Sequence, residues 1–222
     1  MTRTLVHLVR HGEVHNPEGI LYGRLPGYGL SEIGREQARR VAEHLAGRRS
    51  GAELDPSGPG SDVTALLVSP MQRAQETALP IAEELGLEIV TDDRLIEAAN
   101  AFQGMQVAVG DGALRRPEYW PLLRNPFRPS WGEPYLEIAH RMLGAAQRAR
   151  AAAAGHEAVC VSHQLPIWTL RRFLAGDRLW HNPARRQCAL GSVTTLTFDD
   201  ESLVDIGYAE PSGSPVGTGT GA

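Results

Sequence analysis

The chain contains no lysine. All 22 basic side chains are arginine, set against 26 carboxylates and 8 histidines, for a formal net charge of -4. That balance argues against a protein built to coat nucleic acid or an anionic membrane, so neither is expected as a partner. Cysteine is nearly missing: Cys160 and Cys188 are too few for a disulfide framework and show no metal-ligand spacing. Long apolar runs are missing too, since none approaches the roughly 18 residues a spanning helix needs. The stretch from Met1 to Arg10 is broken by His7 and Arg10 and does not read as a secretory leader. A cytoplasmic location is the expectation.

What is present is ordinary for a soluble globular chain: 222 residues, 42% hydrophobic and 22% charged, enough for one full-sized core. Strand-like and helix-like segments alternate. Thr4–Val9, Val63–Val68 and Ala158–Val161 read as buried strands, with a shorter one near Leu87–Val90 and two late ones near Ser192–Phe198 and Leu203–Ile206. Ser31 is placed to cap a helix carrying Ala38, Val41, Ala42 and Leu45 on one face. A second helix is expected to start at the Ser69-Pro70 cap and stop at Gly86, with Pro80 kinking or breaking it. Pro134 opens a third helix running to about Ala154, and Leu165–Leu174 reads as a fourth. The pattern predicts an α/β three-layer sandwich, a mainly parallel sheet with helices on both faces. One domain over residues 1–209 is expected, with a lid insert at about 99–133. Residues 50–62 read as a loop and 210–222 as a disordered tail.

In such folds ligands gather outside the carboxyl ends of the strands. Arg10-His11-Gly12 follows the first strand, Ser69-Pro70-Met71-Gln72-Arg73 the second, and Ser162-His163-Gln164 the strand at Cys160. Two arginines and two histidines are thus expected at one sheet edge. A phosphate monoester, close to a dianion at neutral pH, suits that set. Each guanidinium offers a fork of donors, and a charge pair at 4 Å gains on the order of 4 kcal/mol at an effective dielectric of about 20, before desolvation. A neutral imidazole can attack phosphorus, and a second can donate to the oxygens that gather charge.

These segments resemble the histidine phosphatase superfamily, also called phosphoglycerate mutase-like. The resemblance is carried by Val9-Arg10-His11-Gly12-Glu13, Gly23-Arg24-Leu25-Pro26-Gly27, Leu30-Ser31-Glu32-Ile33-Gly34, Ser69 to Ala78, Leu95-Ile96-Glu97 and Val161-Ser162-His163, in that order. It implies His11 as the nucleophile that becomes phosphohistidine. It implies Arg10, Arg73 and His163 as the rest of the phosphate pocket, and Glu97 as the acid that protonates the leaving oxygen and then activates water. Substrate contacts from Asn16, Gly23, Arg24 and Gln164 are implied as well, with no metal and no cofactor. Two departures stand out. Asn16 lies five residues after His11, where the family often has asparagine at six, and Gln164 replaces a frequent glycine after the second histidine.

The leading expectation is therefore a metal-independent phosphatase acting on a small-molecule phosphate monoester. Its rate should be bell-shaped in pH, with the acidic limb from His11 and the alkaline limb from Glu97. The alternatives are a phosphoglycerate mutase-type phosphotransferase and a catalytically idle phosphate-binding protein. Elsewhere, His7 reads as a sheet-face histidine and His15 as lining the pocket mouth. His44, His140, His156 and His181 are expected at surfaces or helix ends. Arg171, Arg172, Arg185 and Arg186 read as a solvated face. Residues 115–131 interleave arginine with Tyr119, Trp120, Phe127 and Trp131, which suits either a lid over the leaving group or a small secondary core. Oligomeric state leaves no mark in the sequence.

Overall fold

The protein is described from a computed structural model, for residues 2–47, 62–106 and 132–213. Residues 50–61 of the expected loop over 50–62, the Arg/aromatic segment 115–131 and residues 214–222 of the expected tail over 210–222 lie outside the described residues.

Among the described residues, six strands form one sheet: β1 (Arg3–Arg10), β2 (Val63–Val68), β3 (Ile89–Thr91), β4 (Glu157–Ser162), β5 (Val193–Asp199) and β6 (Ser202–Ala209), in the spatial order β3-β2-β4-β1-β5-β6. The four strands from β3 to β1 run parallel, and β5 and β6 add antiparallel to the β1 edge. Among the described residues, four α-helices cover the sheet: α1 (Glu32–Leu45), α2 (Gln72–Leu85), α3 (Tyr135–Ala152) and α4 (Gln164–Leu174).

Strand alternation sorts the core into two layers. Val6 and Leu8 of β1, Leu67 of β2 and Ala158 and Cys160 of β4 pack with Ile138, Met142 and Ala145 of α3 and with Ile167 and Leu170 of α4. Val9, Leu66, Val68, Val159 and Val161 face the other way, onto Val41, Ala42, Ala74, Ala78 and Ile81 of α1 and α2. Val63 joins that second layer despite its odd spacing from Leu66, because the β2–β4 register shifts between Val63 and Ala65. The buried face of α3 is rich in alanine, with Ala139, Ala145, Ala146 and Ala149. Among the described residues, no helix is long and apolar enough to cross a membrane.

Three local expectations are corrected. The second helix starts at Gln72, with Met71 at its N-cap and no side-chain cap bond. Ser69 is drawn instead into the site described below. Pro80 does not break the helix, which runs through it to Gly86 in the left-handed conformation. Proline in a helix interior costs about 3 kcal/mol, but Arg73, Ala74, Thr77 and Ala78 before it and Ile81 after it are buried. Removing that face from water outweighs the lost bond. α3 ends at Ala152, two residues short of expectation.

Register places the chemistry. Arg10 at the end of β1 pairs with Ser162 at the end of β4, and Val161 pairs with Val68 of β2. The chain continues in step, with His11 N–H donating to Ser162 O at 3.1 Å and Ser69 N–H to Val161 O at 3.0 Å. Three strands therefore deliver His11, Ser69 and His163 side by side.

Candidate active site

His11 is fully buried. Its Nδ1 lies 2.8 Å from Gly12 O, and since a carbonyl only accepts, the proton sits on Nδ1 and the lone pair on Nε2. Arg73 Nε donates to that Nε2 at 3.3 Å, which requires it unprotonated. Burial first, then the charges of Arg73 and Arg10, push the His11 pKa well below its usual 6.5. The imidazole is thus held neutral in the tautomer that leaves Nε2 free to attack.

The loop carrying His11 is clamped by α1. Ser31 caps the helix by accepting from Gly34 N–H at 3.0 Å and donates to Glu13 Oε1 at 2.7 Å. Gln37 Oε1 takes the Glu13 N–H at 2.8 Å. Gly12 and Gly34 face each other so closely that a methyl on Gly12 would overlap Gly34 O, and one on Gly34 would overlap Glu13 O. Thr77 Oγ1 accepts the Gly12 N–H at 3.1 Å from the α2 side.

Arg73, also fully buried, donates from Nη2 to Gly23 O at 2.8 Å and stacks 4.7 Å over the Tyr22 ring. Arg10 donates to Cys188 O at 2.7 Å. The His163 ring lies 5.1 Å from that of His11, and burial with the nearby arginines also pushes its pKa well below 6.5. Its Nε2 is 2.8 Å from Ser69 Oγ, and its Nδ1 is 3.8 Å from Glu97 Oε2. A hydroxyl can donate or accept at this contact; the tautomer in which Ser69 O–H donates to Nε2 is the one that puts the His163 proton on Nδ1, on the side of Glu97. Four buried polar atoms here have no hydrogen-bond partner: Arg10 Nε, Arg73 Nη1, His163 Nδ1 and Glu97 Oε2. Three donors and one acceptor of this kind suit a tetrahedral oxyanion with an oxygen to be protonated.

The five residues His11, Arg10, Arg73, His163 and Glu97 are brought together. The outer set behaves differently. Gly23 contributes its carbonyl to Arg73, from a backbone with φ of +45°. Asn16 turns its side chain onto Ile20, donating to its O at 2.9 Å and accepting its N–H at 3.2 Å. Arg24 donates to Glu97 O at 2.6 Å and pairs with Glu133 at 3.0 Å. Arg141 pairs with Glu133 at 2.6 Å and donates to Ile96 O at 2.7 Å. Arg24, Glu133 and Arg141 therefore strap the backbone that carries Glu97. No motif in the sequence marks Glu133 or Arg141, because Glu133 meets Arg24 from 109 residues away and Arg141 meets Ile96 from 45, separations that leave no local spacing signal. Gln164 donates to Cys188 O at 3.3 Å and accepts from Arg186 at 3.3 Å.

Two expectations fail here. Arg186 is not part of a solvated face: it is half-buried and bonded to Gln164 and His181. His181 does not sit at a surface or helix end: it is half-buried, its ring tilted against Tyr135 and edge-on to Trp168. Both lie on the stretch between α4 and β5, which meets Tyr135 of α3 and Gln164 and Trp168 of α4 and whose path no periodicity announces. His7 does lie on the sheet, bridging Thr195 at 2.9 Å and Glu157 at 2.8 Å. His15 lines a shallow cleft with Ser31, Arg35 and Gln72.

Comparison with known proteins shows the family. The family model described as histidine phosphatase superfamily (branch 1) matches residues 6–206. An uncharacterized protein of Mycobacterium tuberculosis, Rv0525, is 57% identical over 209 residues, covering 94% of this chain and 97% of its own. Phosphoserine phosphatase 1 of Hydrogenobacter thermophilus is 31% identical over 174 residues, 76% of this chain and 75% of its own. The solved structure of a mycobacterial glucosyl-3-phosphoglycerate phosphatase superposes with a TM-score of 0.66 at 25% identity, over 88% of this chain and 90% of that one. With a matching model across nearly the whole sheet and a paired-histidine site at its carboxyl edge, the chain belongs to the histidine phosphatase superfamily.

Proposed function

We propose that the protein is a metal-independent phosphatase that hydrolyses a small-molecule phosphate monoester through a phosphohistidine on His11. The observation that carries this is a neutral His11 whose Nε2 lone pair is marked by Arg73 and flanked by unpartnered guanidinium nitrogens. The phosphoryl oxygens would take hydrogen bonds from Arg10, Arg73 and His163 Nδ1. His11 Nε2 attacks phosphorus and forms the P–N bond while the bond to the leaving oxygen breaks, and Glu97 gives that oxygen its proton. The Glu97 carboxylate then takes a proton from water, whose oxygen attacks phosphorus, and the P–N bond breaks to release inorganic phosphate. Ala98 N–H, donating to Glu97 Oε1 at 2.8 Å, leaves Oε2 as the atom that carries the proton. Relatives named as phosphatases favour water over a second alcohol as acceptor. Two buried free thiols suit the cytoplasm as the working compartment.

The test is phosphate release from p-nitrophenyl phosphate in EDTA, with wild type beside His11→Ala. Turnover that persists in EDTA and falls at least about a thousandfold in the variant, together with acid-labile ³²P on the wild-type chain alone, is the expected result. Turnover lost in EDTA, or retained by His11→Ala, overturns the proposal.

A further inference from the structure

Three guanidiniums, rather than two, border the site. Arg186 reaches it through a continuous hydrogen-bond chain. Arg10 Nη1 and Gln164 Nε2 both donate to Cys188 O, at 2.7 and 3.3 Å, and Gln164 Oε1 accepts from Arg186 Nη1 at 3.3 Å. Gln164 directly follows His163, so Arg186 stands on the α4 side of the phosphate pocket. Its Nε donates to His181 Nε2 at 2.9 Å. His181 can accept there because its Nδ1–H is given to Leu179 O at 2.6 Å. Burial holds His181 down to a pKa of about 4, so it keeps that lone pair at neutral pH. With Nε and Nη1 committed to neutral acceptors, the guanidinium plane is set, and Nη2 has no partner among the described residues.

Charge then decides what the site lacks. Among the described residues, none of Arg10, Arg73 and Arg186 forms an ion pair, and Glu97 is the acid whose charge Arg73 and Arg186 both feel. In the step that protonates the leaving oxygen Glu97 holds a proton. A phosphate dianion then balances two of the three cations and leaves one. A half-buried guanidinium with no counter-ion is costly, and its planar fork matches a carboxylate.

We propose that Arg186, oriented by His181 and Gln164, is a specificity-determining residue that binds a carboxylate on the leaving group, so that the substrates are phosphate esters of hydroxy acids. This rests on the phosphatase reading above. Gln164, the departure from glycine after the second histidine, serves as the link between the phosphate pocket and this subsite.

The test compares matched esters that differ in the carboxylate: 3-phosphoglycerate against glycerol 3-phosphate, and phosphoserine against phosphoethanolamine. Wild type, Arg186→Gln, Arg186→Lys and Arg185→Gln are each assayed for kcat/KM. Because each ratio is taken within one preparation, any unfolded fraction cancels. Wild type should favour the carboxylated member of each pair by about tenfold or more, the worth of one charge-assisted hydrogen bond. Arg186→Gln should bring the ratio near one, chiefly through KM. Arg186→Lys should retain part of the preference, and Arg185→Gln, an exposed neighbour, should retain all of it. Equal ratios in wild type and Arg186→Gln, or a wild-type preference for a bisphosphate over the carboxylated esters, would overturn the subsite. If p-nitrophenyl phosphate is hydrolysed while the ratios stay flat, only the subsite falls. If no ester is hydrolysed, the phosphatase reading falls and takes the subsite with it.

Discussion

His11 is a base made weak by its surroundings. Removing an imidazole from water disfavours its charged form, and Arg73 and Arg10 add repulsion, so all three causes act in one direction. The bond to Gly12 O acts in the opposite sense but is the smallest of the influences. A nucleophile neutral down to low pH has a consequence for rate. The acidic limb of kcat/KM, which reports the free enzyme, should lie well below pH 6.5 with p-nitrophenyl phosphate, whose second ionisation must be corrected for. A limb at or above 6.5 would mean that His11 is solvated or stabilised as imidazolium. At this scale the sequence was most legible: strand ends marked Arg10, His11, Arg73 and His163 and the resemblance added Glu97, and the structure sets His11 beside Arg73 and His163, and His163 beside Glu97. Ser69 departs from expectation: serine before proline commonly caps a helix, but this hydroxyl meets a buried imidazole at 2.8 Å.

Among the elements, α1 determines how still the nucleophile is. Its first turn meets the Gly12–Glu13 backbone with no space for a side chain at either glycine. For Gly34→Ala two effects compete. Helix propensity favours alanine by up to about 1 kcal/mol, whereas forcing a methyl into packed backbone costs about 1–3 kcal/mol. The overlap here is with a carbonyl that cannot rotate away, so the cost should win. A net loss of about 1–2 kcal/mol in urea unfolding is expected, with a lower kcat because the His11 loop moves with Glu13. Unchanged stability and kcat would show that the helix slides to accommodate the methyl. Element boundaries were largely readable, since β-branched runs and helical spacing report local preference. Pro80 shows the limit of that reading. Its penalty is local, while the burial that outweighs it comes from neighbours distant in sequence.

For the whole molecule, the same buried histidines link stability to pH. In the unfolded chain His11 and His163 take up protons as pH falls through about 6.5, while the native state does not. The unfolded state then binds more protons, so stability falls as pH drops below about 6.5 and until the depressed native values are reached. The two residues together should cost about 2.5 kcal/mol between pH 7 and 5.5, with a smaller contribution of the same sign from the partly exposed His181. Asp92, whose carboxyl is held down by Arg94 at 2.6 Å with Arg148 at 3.1 Å, acts in a lower window. Its contribution is present above about 3.8 and lost beneath it. Urea unfolding at pH 7 and 5.5 checks this, and His163→Gln should lose roughly half of the drop. A pH-independent midpoint in the wild type would mean that the native histidines protonate freely.

The chain order of strands and helices and the placing of Arg10, His11, Arg73 and His163 at one sheet edge follow from the sequence, because each is written in a local period or in a residue shortly after a strand, whereas Glu97 was marked only by the family resemblance. Tertiary structure alone decided the rest. It chose the His11 tautomer through a carbonyl. It strapped the Glu97 backbone with Arg24, Glu133 and Arg141, and it turned Arg186 from a surface charge into a half-buried cation beside the phosphate pocket. Each of these depends on where irregular backbone places a side chain against a distant partner, and burial then changes what that side chain is chemically.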